Sequence, residues 1–160
     1  MRTSKKLTPA AKAFKKIKLD TAQTVKNRIQ ALLRQIGLIR DKGCVLAPFQ
    51  GKNGIPYCNG YRSDGELIYQ YDHLNSRAHN VSYAEPKLGV ILCKGHHGWK
   101  SFTDNNKKKY DALVRTIIGP ERTKLWDKVE EDRRTYPMTK WDWEKVELGL
   151  EIELKKLRSN

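Results

Sequence analysis

The stretch Glu66–Lys100, ELIYQYDHLNSRAHNVSYAEPKLGVILCKGHHGWK, decides the fold. Glu66–Asp72 alternates and is rich in aromatic and β-branched side chains, which predicts a strand. Leu88–Cys93, LGVILC, is a compact apolar run and reads as a second, buried strand. Gly95–Trp99 turns toward a helix expected to start near His96. The result is a β-β-α finger, with Asp72-His73 at the end of its first strand and His97 in the first turn of its helix.

That arrangement suits phosphodiester hydrolysis. A water must be activated by a base, and histidine titrates near neutral pH. A divalent cation must offset charge on the phosphate and the leaving oxygen, and it takes carboxylate and imidazole ligands. Asp72 and His73 offer both groups side by side. Neighbours on a strand point to opposite faces, so one can hold metal while the other faces the water, provided the chain bends there. His97 supplies a second ligand across the crevice.

The cysteines point to a second metal. There are three, Cys44, Cys58 and Cys93, an odd count that argues against a disulfide framework. All four histidines (His73, His79, His96 and His97) fall in the window 73–97, which also contains Cys93. Cys93-x-x-His96 is a common half of a structural zinc site. Cys44 and Cys58 would complete a Cys3His tetrahedron pinning the hairpin of 44–58 to the finger, although thirteen residues separate them instead of the usual two to four. The bland reading leaves Cys44 or Cys58 as a buried free thiol, and His79 as a surface histidine or a substitute ligand.

The chain divides into three stretches. Residues 1–40 form a basic N-terminal arm and helix, with eleven Lys/Arg against one acid, Asp20. Within them Pro9–Lys18 suggests a short helix, and 20–37 a longer one, capped by Asp20 or Thr21 and ended by Gly37. Val25, Ile29, Leu32, Leu33 and Ile36 form its apolar face, with Lys26, Arg28 and Arg34 opposite. Residues 41–103 hold the finger core. Residues 104–160 read as helices packing on that core. Tyr110, Leu113, Val114, Ile117 and Ile118 share one face, Gly119-Pro120 interrupts, and Leu125, Trp126 and Val129 turn inward on the next helix. Tyr136-Pro137 breaks again, and Thr139 caps a last helix striped with Trp143, Val146, Leu150, Leu154 and Leu157. The fold class expected is α+β.

The net charge of +14 is concentrated in the N-terminal forty residues. Such an arm meets a polyanion, and nucleic acid is favoured over a solvated tail or an anionic membrane surface. Lys12, Lys15, Lys16, Lys18, Lys26, Arg28, Arg34, Arg77 and Lys100 are the candidate nucleic-acid contacts. No apolar run approaches the roughly 18 residues that span a bilayer. The basic N-terminus has no apolar stretch behind it, so no secretory signal is expected. A cytoplasmic protein is therefore expected, in the host cytoplasm if it is phage-encoded.

The segment YDHLNSRAHN…LGVILCKGHHGWK resembles the HNH (His-Me finger, ββα-metal) endonucleases. That family carries Asp-His on the first strand, an apolar strand ending in Leu-Cys, then x-x-Cys-His and a Lys. Here Leu92-Cys93-Lys94-Gly95-His96-His97-Gly98-Trp99-Lys100 matches, with His96 in place of the second Cys. Arg77 and Asn80, and more loosely Tyr110-Asp111-Ala112-Leu113, resemble phage members related to the NinG recombination proteins. The specific match covers about residues 66–100.

The resemblance implies His73 as general base and Asp72 and His97 as ligands of Mg²⁺ or Mn²⁺. It also implies Cys93 and His96 as half of a structural Zn²⁺ site. Where the family has an Asn that steadies the base, five residues before the Cys, this chain has Leu88. Asn80, ahead of Asn75, is the residue expected to take that role. The function implied is a metal-dependent endonuclease acting on DNA, with branched or structured DNA in phage recombination or replication favoured as the substrate. Two other readings remain: a catalytically inactive, zinc-stapled DNA-binding protein of a phage or mobile-element complex, and an interaction module or homodimer using Trp141 and Trp143.

Overall fold

The computed structural model describes residues 21–75, 80–132 and 137–159. Asp20, the Pro9–Lys18 helix, Lys12, Lys15, Lys16, Lys18, Arg77, His79 and Tyr136 lie outside the described residues. Helix α1, Ala22–Asp41, begins where Thr21 accepts a hydrogen bond from the Thr24 amide at 3.2 Å. Val25, Ile29, Leu33 and Ile36 recur at helical spacing and are buried. Gly37 does not end the helix. It lies under Ile91, where an added Cβ would come within 2.8 Å of Ile91 Cδ1, so this glycine serves close packing instead of termination. The helix runs four residues further, to Asp41, and is capped by a left-handed Lys42 whose amide donates to Leu38 O.

After α1 come a short 3₁₀ turn, Ala47–Phe49, and a run of turns with no paired strands among them. The segment 44–58 is therefore a loop and not the hairpin expected. Strand β1 (Tyr69–His73) pairs antiparallel with β2 (Gly89–Cys93), with Tyr71 opposite Ile91 and Asp72 opposite Val90. β1 starts later than Glu66, because the chain before it forms only the isolated Tyr61–Leu67 bridge. Between the strands lie the short helix α2 (Asn80–Tyr83) and a 3₁₀ turn, Pro86–Leu88. Helix α3, Lys94–Lys100, follows β2 directly and starts two residues before His96, with Cys93 as its cap.

The two-stranded sheet separates two apolar cores. On one face Leu74, Leu88, Val90 and Leu92 pack with Tyr110, Val114, Ile118 and Trp126 of α4, Asp104–Glu131. On the other, Tyr71 and Ile91 pack with α1 and with Trp143, Leu150 and Leu154 of α5, Lys140–Ser159. Gly119 breaks α4 at φ 80°, ψ 173°, ahead of Pro120, as the sequence suggests. Thr139 and Asp142 cap α5 reciprocally, each amide donating to the other's side chain. Alternation along β1 therefore sends Tyr71 toward α1 and Asp72 toward α4. The architecture is mixed α+β. Among the described residues no helix is long and apolar enough to cross a membrane.

Candidate metal centres

Four pieces of the chain bring Cys44, Cys58, Cys93 and His96 together. Cys44 follows α1 on a segment tied to β2 by the Val45 amide, which donates to Ile91 O at 3.0 Å. Cys58 is held by its amide, which donates to Gln50 Oε1 at 3.0 Å. Cys93 ends β2, and His96 sits in α3. Their four donor atoms lie within 4.8 Å of one another. His96 Nδ1 is 3.2 Å from Cys44 Sγ, 3.6 Å from Cys58 Sγ and 3.2 Å from Cys93 Sγ. Ideal bond lengths around a tetrahedral zinc put S···N at about 3.6 Å, so the group fits such an ion. His96 Nε2 donates to Pro56 O at 2.8 Å, which leaves the Nδ1 lone pair facing the sulfurs.

The electrostatics agree. Burial, then the neighbouring Cys44 and Cys93 sulfurs, push the Cys58 thiol up to about 12. Burial also raises Cys44 and lowers His96 toward the neutral imidazole, the latter despite the Pro56 carbonyl. A bound cation reverses that balance for its ligands. The Cys3His group is thus one that could hold a structural metal such as zinc.

A second cluster centres on Asp72, which is 2% exposed. Lys100 Nζ, from the end of α3, donates to its Oδ1, and the Tyr110 hydroxyl of α4 donates to its Oδ2. His97 Nε2 faces the same Oδ1 at 3.4 Å. Burial first, then the Asp72 charge, holds the Tyr110 phenol well above its ordinary value, so it stays a donor. Neither Tyr110 nor a pairing role for Lys100 was apparent in the sequence, because both depend on how α4 and α3 dock against β1.

His73 turns the other way. Its Nε2 lies 3.0 Å from Gln30 Oε1 of α1, and its ring stacks on Tyr83, centroids 5.2 Å apart. With the Gln30 carbonyl oxygen accepting, Nε2 is the nitrogen that carries the proton toward α1. Leu88 is packed in the apolar core, 2% exposed. Asn80 opens α2, and Asn75 is buried, its Oδ1 without a partner among the described residues. No sequence signal singled out Gln30, which lies 43 residues from His73.

A cavity of about 400 Å³ runs beside β1, lined by Gln30, Ala31, Arg34, Ile68, Tyr69, Gln70, Tyr71 and His97. It therefore meets both Gln30, the partner of His73, and His97, the partner of Asp72. Among the basic candidates, Arg34 lines this cavity. Arg28 instead joins α1 to α5 through Glu147, with Nη2 donating at 2.9 Å. Lys26 Nζ lies over the Trp143 ring at 4.6 Å. Trp143 is 1% exposed and Trp141 72% exposed, so only Trp141 is available at the surface.

No protein-family profile matches the chain, and no solved structure matches it. It is similar to a protein named a deglycase from Pyrococcus abyssi (strain GE5 / Orsay), with 40% identity over 76 residues. That similarity covers 42% of this chain and 43% of the relative, so the chain spans less than half of the length of the protein it matches.

Proposed function

We propose that this chain is a zinc-stapled, divalent-metal-dependent endonuclease of the HNH type that hydrolyses phosphodiester bonds in DNA. The observation that carries the reading is the pairing of Asp72 Oδ1 with His97 Nε2 at 3.4 Å, across the crevice between β1 and α3. The order β1, β2, α3 and the adjacent Cys3His group support it as a ββα-metal finger. Zinc on Cys44, Cys58, Cys93 and His96 would be structural, since four protein ligands leave no open position.

Asp72 and His97 would hold Mg²⁺ or Mn²⁺, which supplies charge neutralisation at the phosphate and the leaving oxygen. His73, steadied by Gln30, takes a proton from the attacking water. The new bond joins the water oxygen to phosphorus, and the bond to the leaving sugar oxygen breaks. Arg34 and the basic N-terminal stretch contact backbone phosphates, which position a duplex without specifying its sequence. Branched or structured DNA is the favoured substrate, on the likeness to the phage recombination proteins alone. The partial similarity to a protein named a deglycase brings no activity to this reading.

The test is zinc-loaded protein incubated with linear, branched and single-stranded DNA and with RNA, with and without Mg²⁺ or Mn²⁺. Cleavage of DNA that needs the metal and His73 supports the proposal. Salt-sensitive binding without cleavage under any metal identifies an inactive DNA-binding protein instead.

A further inference from the structure

We propose that Lys100 is a resident counter-ion of Asp72, occupying the carboxylate when no divalent cation is bound and leaving it when one binds. The proposal rests on the reading of Asp72 and His97 as ligands of the catalytic metal.

Asp72 is 2% exposed and shares its sheet face with Gln70, Val90 and Leu92, beside a core that also holds Leu74 and Leu88. A carboxylate in such surroundings is costly unless it is paired. Its two oxygens are provided for differently. Oδ2 takes the Tyr110 hydroxyl, a rigid donor 1% exposed in the core on α4. Oδ1 takes Lys100 Nζ, at the tip of a flexible side chain that is 12% exposed at the end of α3. Among the described residues this ammonium has no other anionic partner; its remaining contact is with the Tyr110 ring, 5.0 Å from the centroid.

His97 Nε2 also faces Oδ1. A cation held between Asp72 and His97 therefore competes with Lys100 for one oxygen, while Tyr110 keeps the other. The buried charge is compensated in both states. A lysine suits this role because its ammonium is a point charge on a flexible stem, easily withdrawn to solvent.

The experiment is Mn²⁺ binding, followed by electron paramagnetic resonance, to zinc-loaded full-length wild type, Lys100→Met, Lys100→Arg and Asp72→Asn. Mn²⁺ stands below Zn²⁺ in affinity for such ligands, so it leaves the structural site intact. Lys100→Met is expected to bind Mn²⁺ roughly tenfold or more tightly than wild type, the scale on which one opposite charge alters a carboxylate's hold on a cation. Lys100→Arg keeps affinity near that of wild type, and Asp72→Asn loses the site. Equal affinity in folded Lys100→Met and wild type overturns the exchange while leaving the metal site standing. Absence of Mn²⁺ binding in folded wild type and Lys100→Met overturns the metal site itself. Should Lys100→Met not fold, ¹⁵N-lysine spectra of wild type decide. The Lys100 ammonium signal moves as Mg²⁺ saturates the site, and a signal that stays fixed while Mg²⁺ binds overturns the exchange.

Discussion

Asp72 and His73, consecutive in β1, turn their side chains to opposite faces of the sheet. Asp72 meets Tyr110 of α4, and His73 meets Gln30 of α1. The bend expected at this point is absent: the register stays regular through His73 opposite Gly89, so alternation separates the two groups. Their neighbours His97 and Gln30 nevertheless line one cavity. In the proposed enzyme that cavity is where a phosphate backbone reaches both sides of the strand.

The first prediction concerns Gln30. Gln30→Ala should lower kcat about 10- to 100-fold with KM little changed, the scale of one hydrogen bond to a group that becomes charged. Gln30→Glu places a carboxylate against Nε2 and should raise the His73 pKa. A base must be neutral to accept a proton, so the acid limb of the pH–rate profile should move to higher pH. A profile unchanged in both variants would remove Gln30 from the mechanism.

The second concerns the Cys3His group. The purified chain should carry one tetrahedral zinc, and chelation should unfold it or lower its stability by several kcal/mol. Cys93→Ser should lose the metal and reproduce that loss. Acidification should release zinc, because protons compete for the thiolates. Elemental analysis and circular dichroism of the same samples provide the check.

The Cys3His group was legible in the sequence, and so was the closeness of Asp72 to His97. Asp72-His73, Cys93-x-x-His96 and His97 stand in order along a short stretch, which is a local signal. The helical stripes of α1, α4 and α5 were also legible, since 3.6-residue periodicity is a local signal. Gln30 and Tyr110 were not, because their contacts span 43 and 38 residues and depend on which faces of α1 and α4 meet the sheet. Gly37 misled for a related reason. A glycine near a helix end usually marks its stop, and here the close approach of Ile91 explains it. The thirteen residues between Cys44 and Cys58 specify nothing by themselves. The loop between them and the Val45–Ile91 bond bring the two cysteines together.

The third prediction concerns Tyr110. Tyr110→Phe keeps the ring and removes the donor, leaving Asp72 Oδ2 buried and short of a partner. The cost should be about 1–3 kcal/mol in urea unfolding. A neutral result would mean that the hydroxyl does not hold the carboxylate.

The fourth concerns DNA. Arg34→Ala should weaken binding across all sequences and reduce the slope of log K against log salt by roughly 0.9, the value for one phosphate contact. Arg28→Ala should instead mainly cost stability, because Arg28 is committed to Glu147 between α1 and α5. A reversed pattern in fluorescence-anisotropy titrations would move the nucleic-acid face elsewhere.

The most direct measurement is metal-dependent cleavage by wild type and His73→Ala side by side, on the same DNA panel, with binding followed in parallel. Wild type should cut with Mg²⁺ or Mn²⁺, and His73→Ala should bind equally well while cutting about 10²–10⁴-fold more slowly. Equal cleavage by the two proteins, or no cleavage by folded, zinc-loaded wild type under any metal, would contradict the nuclease reading.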